Sequence, residues 1–121
     1  MRKQIETEHC IAFLNRLAQY HPELAEAIYH CPNESRVRQR QDTGIKPGQP
    51  DYCLPIPRGG YGALYLEFKK PAEKTKKGGG LSAAQVARIA GLEKCGNKVV
   101  VVYSWQEGVA AVVDYFASIH A

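Results

Sequence analysis

A chain of 121 residues is the size of one domain, 1–121, and too short for two hydrophobic cores. With 45% hydrophobic residues, and 16 Lys and Arg against 12 Asp and Glu, the charge of +4 rests on a foldable composition that excludes intrinsic disorder. The longest apolar run, around Val99 to Tyr103, falls far short of the roughly 20 residues of a membrane span, and the start MRKQIETEHC is charged.

With neither a membrane segment nor a signal peptide visible, a cytoplasmic protein of a bacterial or phage-infected cell is expected. Cys10, Cys31, Cys53 and Cys95, spread singly without a CxxC pair, would then be free thiols.

From Glu6 to Gln19, Cys10, Phe13, Leu14, Leu17 and Ala18 recur at the spacing of an amphipathic helix. Pro22 sits where a helix start tolerates it, so Pro22 to Tyr29 is expected to add a further turn or two before the loop at Pro32 and Asn33. The polar stretch from Arg36 to Gln49 reads as a surface connection.

Tyr52, Leu54 and Ile56 alternate with other residues, Arg58-Gly59-Gly60 supplies a turn, and Leu64, Leu66 and Phe68 alternate again. That pattern predicts a hairpin, with Pro55 and Pro57 either ending the first strand early or putting it at a sheet edge.

The following KPAEKTKKGGG is basic, has no apolar anchor and is expected to form a mobile loop. Ser82 and Gln85 make a capping box for a helix with Val86, Ile89 and Ala90 on one face, ended by Gly96. Val99 to Val102 is a continuous β-branched run, as in a central parallel strand covered on both faces. Ser104 and Glu107 repeat the capping box, and Val109, Val112, Val113 and Phe116 give the last helix its core stripe. The fold class is therefore α/β: a small mixed sheet with a hairpin and a parallel crossover strand, flanked by helices.

The chemistry lies around Pro50-Asp51, before the first hairpin strand, and Glu67-Phe68-Lys69, at the end of the second. Glu67 and Lys69 project from one face of their strand while Leu66 and Phe68 enter the core. Folding the hairpin brings Asp51 back to Glu67, because the 16 residues between them fit two short strands and a turn. Two carboxylates beside a backbone carbonyl suit Mg²⁺, which keeps waters and leaves room for phosphate. An adjacent lysine can hold a water and neutralise charge on the phosphate, so the set suits phosphodiester hydrolysis. Alone, Glu-x-Lys is common on exposed strands; the conjunction of Pro-Asp, turn, Glu-x-Lys and helix is what gives it weight.

On these residues the sequence resembles the PD-(D/E)XK nuclease superfamily and, within it, the VRR-NUC family of virus-type replication-repair nucleases. The resemblance is carried by GIKPGQPDYCLPIPRGGYGALYLEFKKP, Gly44 to Pro71, by LSAAQ, Leu81 to Gln85, and by the valine strand and last helix, and it spans about Glu8 to Phe116. It implies a restriction-endonuclease-like core in which Asp51, Glu67 and the Phe68 carbonyl ligand Mg²⁺ or Mn²⁺ and Lys69 is the catalytic lysine.

It further implies that Gln85 orients Lys69 or a water, although the capping box alone would explain this glutamine. Glu8 would be the first-helix carboxylate near a second metal; the helix dipole favours an acid there in any case. In relatives an aromatic residue often follows the glutamine by three, where this chain has Arg88.

Asn33 and Arg36 would contact phosphate, as would two basic clusters, Lys69, Lys70, Lys74, Lys76 and Lys77 with Arg36, Arg38 and Arg40. Stand-alone members of the family act on branched DNA such as four-way junctions and tend to be homodimers, which implies the same here. The alternative is a non-catalytic nucleic-acid-binding module on the same fold, and a third reading is an assembly subunit. His9, His21, His30 and His120 stand at no ligand spacing from another His or Cys, and no site role is expected for them or for the aromatic residues.

Overall fold

The computed structural model describes residues 2–32, 44 and 46–118, with side chains from Ile5 onward. The first apolar stripe forms α1, Arg2–Tyr20, and buries Phe13 and Leu17 completely. Pro22 opens α2, Pro22–Ala27, whose Leu24 joins the same core.

The second helix is shorter than expected. It stops at Ala27, and Tyr29 and His30 form a two-residue strand, β1, paired antiparallel with the next strand. That strand is β2, Tyr52–Leu54, and Pro55, which has no N–H to offer a ladder, ends it early. Arg58 and Tyr61 exchange backbone hydrogen bonds of 3.1 and 2.8 Å around Gly59 and Gly60. Those glycines have φ of 57° and 87°, the left-handed backbone of a tight hairpin turn. The returning strand is β3, Leu64–Phe68, in register with β2.

After β3 the chain makes two 3₁₀ turns, Pro71–Thr75 and Lys77–Gly80, then α3, Ala83–Lys94, β4, Lys98–Val102, and α4, Trp105–Ala117. The sheet order is β1-β2-β3-β4, antiparallel except for the parallel pair β3–β4. The valine strand is thus parallel as expected but lies at the sheet edge among the described residues. Helices on both faces give it the same unbroken apolar sequence that a central position would.

Phe13, Tyr52 and Phe68 pack ring against ring at 5.1–5.7 Å, with Val102, Val112 and Tyr115 closing the core under α1 and α4. Strand alternation sends Glu67 to the other face, beneath the start of α3. No helix among the described residues is long and apolar enough to cross a membrane.

The basic segment expected to be mobile is folded. Glu73 pairs with Lys70 at 3.6 Å and with Lys76 at 2.6 Å, and Lys74 pairs with Glu107 at 2.7 Å. The Tyr103 hydroxyl donates to the Gly79 carbonyl at 3.0 Å. Ion pairs and one tyrosine do here what apolar side chains do elsewhere. The second capping box is only half formed: Ser104 Oγ accepts from Glu107 N–H, but the Glu107 carboxylate takes the Tyr103 N–H and Lys74 instead.

Candidate active site

The β2–β3 register pairs Tyr52 with Leu66, and one step further along it sets Asp51 opposite Glu67, on the same face. Two features hold Asp51 there. Gly48 lies so close to the first turn of α3 that any side chain would run into the Ala84 backbone carbonyl, and its φ of 74° also favours glycine. Arg88 Nε donates to Gln49 Oε1 at 2.7 Å, tying α3 to the segment that delivers Asp51. The Phe68 N–H donates to Asp51 Oδ2 at 2.7 Å. A strand residue's carbonyl points to the same side as its own N–H, so the Phe68 carbonyl also faces Asp51.

Glu67 is 4% exposed and the only fully buried charged residue among those described. Gln85 Nε2 donates to Glu67 Oε2 at 2.9 Å. The same side chain completes the capping box: its Oε1 accepts from Ser82 N–H at 2.9 Å, and its own N–H donates to Ser82 Oγ at 3.1 Å. The cap and the site contact are therefore one arrangement, since fixing Oε1 on Ser82 leaves the amide nitrogen aimed at Glu67. Lys69 Nζ stands 4.0 Å from Glu67 Oε2, largely shielded, just beyond the end of β3.

The helix carboxylate at the site is Glu6, not Glu8. Glu8 is exposed, whereas Glu6 is half-buried and interacts with Asp51, Lys69, Lys70 and Glu73. Two positions on a helix differ by about 200°, so only one of the two can face the sheet. Glu6 stands four residues before Cys10, in register with the stripe through Phe13 and Leu17, and that spacing was the available sequence signal.

Glu6, Asp51 and Glu67 lie near enough to feel one another's charge, with little positive charge to balance them. Burial, followed by the nearby Asp51 carboxylate, pushes Glu67 up to about 8. Burial likewise raises Asp51, against the opposing pull of the Phe68 N–H, His30 and Lys69, and burial together with Asp51 raises Glu6. Cys10 beside them is pushed up to about 12, mainly by burial, so it stays a neutral thiol.

Hard oxygen donors of net negative charge, with a free backbone carbonyl direction, fit Mg²⁺ or Mn²⁺. Among the described residues no three His, Cys, Asp or Glu side chains close on one point. Carboxylate and carbonyl oxygens are the ligands of a hard cation that keeps waters, whereas a structural zinc takes Cys and His.

Of the basic residues expected at the nucleic acid, Lys70, Lys74 and Lys76 are engaged in the ion pairs described above, while Lys77 is exposed. Asn33 and Arg36, with Arg38 and Arg40, lie outside the described residues.

No protein-family model matches the sequence, and no curated protein matches it. A solved structure described as a VRR_NUC domain protein matches with a TM-score of 0.82 at 25% sequence identity, over 96% of this chain and 91% of that one. The fold is that of the VRR-NUC family. This agrees with the resemblance carried by Gly44 to Pro71, and the shared fold supports a nuclease-type domain. Asp51, Glu67 and Lys69 lie at the end of the sheet where β2 begins and β3 ends.

Proposed function

We propose that this chain is an Mg²⁺- or Mn²⁺-dependent endonuclease that hydrolyses DNA phosphodiesters, acting as a homodimer on branched DNA such as four-way junctions. The observation that carries the reading is the buried, under-neutralised acid set: Asp51 opposite Glu67, with Gln85 and Lys69 on Glu67 and Glu6 alongside.

Asp51, Glu67 and the Phe68 carbonyl would hold the cation, with Glu6 facing its water shell. When bound, the cation supplies Lewis-acid activation of a water and neutralises charge on the phosphate. Asp51 is fixed through Oδ2 by the Phe68 N–H, and its other oxygen would serve the cation. Gln85 fixes the Glu67 carboxylate without adding charge. Lys69 holds the attacking water and offsets the charge that develops on the phosphate oxygens. Exposed Lys77 and the lysines of the paired loop would contact the duplex phosphates. A two-fold dimer would supply the second active site that symmetric cutting of two strands requires.

The test is cleavage of end-labelled single-stranded, duplex and four-way-junction DNA with Mg²⁺ or Mn²⁺, with chelator and Asp51→Asn as controls. Metal-dependent cutting that is fastest on the junction and absent in the variant is expected. Tight binding without cutting in either metal would instead make the chain a binding module.

A further inference from the structure

Phe68, Glu67, Lys69 and Gln85 approach Asp51 from the side of β3 and α3. On its other side a cavity of about 250 Å³ opens between α1 and β1, lined by Glu6, Thr7, Cys10, His30, Asp51 and Tyr52. His30 is the only nitrogen donor in that lining. It lies directly opposite Tyr52 in the β1–β2 register, and its ring stands edge-on to the Tyr52 ring at 5.5 Å. Tyr52 is buried and packed between Phe13 and Phe68. The imidazole is thus held by a core ring while remaining exposed to the cavity. It is also near enough to Asp51 to lower that residue's pKa.

The sheet order fixes what lies across from it. His30 is on β1, Asp51 leads into β2 and Lys69 follows β3, so Asp51 stands between the histidine and the lysine. In phosphoryl displacement the attacking and leaving oxygens are roughly in line through phosphorus. With the attacking water on the Lys69 side, the leaving oxygen and its nucleotide depart toward the cavity beyond Asp51.

Resting on the nuclease reading, we propose that this cavity is the subsite for the leaving-group nucleotide, with the His30 imidazole donating a hydrogen bond to its phosphodiester. His30 is thereby a substrate-positioning residue that contacts the DNA backbone. The carboxylates sharing the cavity would face the cation, which leaves the β1 imidazole as the nitrogen donor available to a phosphate there.

The experiment compares wild type, His30→Ala and His30→Asn on a metal-dependent cleavage assay, with DNA carrying one neutral methylphosphonate linkage on either side of the cut. His30→Ala is expected to lower kcat/KM by about tenfold, the scale of one hydrogen bond to a charged group. His30→Asn, which keeps a donor, should stay within about threefold of wild type, and both variants should melt as wild type does. On the leaving-group side a neutral linkage should cost wild type about tenfold and His30→Ala nothing more, the coupling expected of a direct contact. On the opposite side it should cost both proteins equally.

Unchanged kinetics in His30→Ala, or equal losses from both linkages in both proteins, would overturn the assignment while leaving the nuclease intact. A wild type that cuts no DNA would overturn the nuclease reading and this subsite with it.

Discussion

Two groups of acids and lysines stand side by side in this molecule and are built in opposite ways. In the 3₁₀ segment Glu73 meets Lys70 and Lys76, and Glu107 meets Lys74; those contacts hold both carboxyls below their ordinary values. At the end of β3, the one ion pair among the described residues is Lys69 with Glu67 at 4.0 Å, and burial holds Glu6, Asp51 and Glu67 above their ordinary values. In the first group every carboxylate is paired with lysine, and the group is structural. The second has negative charge in excess and calls for a cation from outside, which is how a buried acid cluster differs from a stabilising ion-pair network.

The largest effect that could break this contrast is in Glu67→Gln. The variant keeps a side chain that can meet Gln85 but loses the charge, and kcat is expected to fall by about a thousandfold in the cleavage assay. The cation-free variant should at the same time melt a few degrees higher than wild type near pH 8, since a buried repulsion has been removed. A lower melting point would mean that Glu67 is stabilising as it stands.

The pH dependence sharpens the same point. In the folded, cation-free chain the Glu67 pKa, about 8, lies above its unfolded value. The folded state therefore holds that proton more tightly, and the associated stability is present in full below the unfolded carboxyl pKa and is lost as pH rises through about 8. In chelator, wild type should lose stability across that window relative to Glu67→Gln, and Mg²⁺ should restore it at the alkaline end. Thermal melts over the pH series, with and without the ion, check this.

Gln85→Ala tests the link between cap and site. About 1 kcal/mol of stability should go with the capping box, and kcat should fall about tenfold with the loss of the Glu67 contact. Restoring only the cap, with Gln85→Glu, should recover stability and not rate, because a carboxylate there adds charge to the acid set. The smallest effect is expected in the paired group: Glu73→Gln should leave kcat near wild type while freeing Lys70 and Lys76, steepening the salt dependence of DNA binding by about one unit.

Elements whose cause is local were legible in the sequence. Alternation of Leu64, Leu66 and Phe68 marks β3, and Ser82 with Gln85 marks the start of α3. Asp51 and Glu67 were placed together by hairpin arithmetic, which the register carries one step past Tyr52–Leu66. Elements whose cause is distant were not. Two residues have no readable period, so β1 exists only through its pairing with β2. The lysine-rich turn is ordered by Glu107 and Tyr103, about 30 residues away in the chain. Glu6 was legible from its place one turn before Cys10 on the apolar stripe, which the resemblance to a first-helix acid at Glu8 did not weigh. His30 carries no local signal, and only the sheet sets it beside Asp51.

The most direct test of the excess-charge account is calorimetric titration of Mn²⁺ into the metal-free protein near pH 8, in two buffers of different ionisation enthalpy, for wild type and Asp51→Asn. The account predicts saturable binding with proton release in wild type and its loss in the variant. Equal heats in the two proteins, or no binding to wild type, would contradict it.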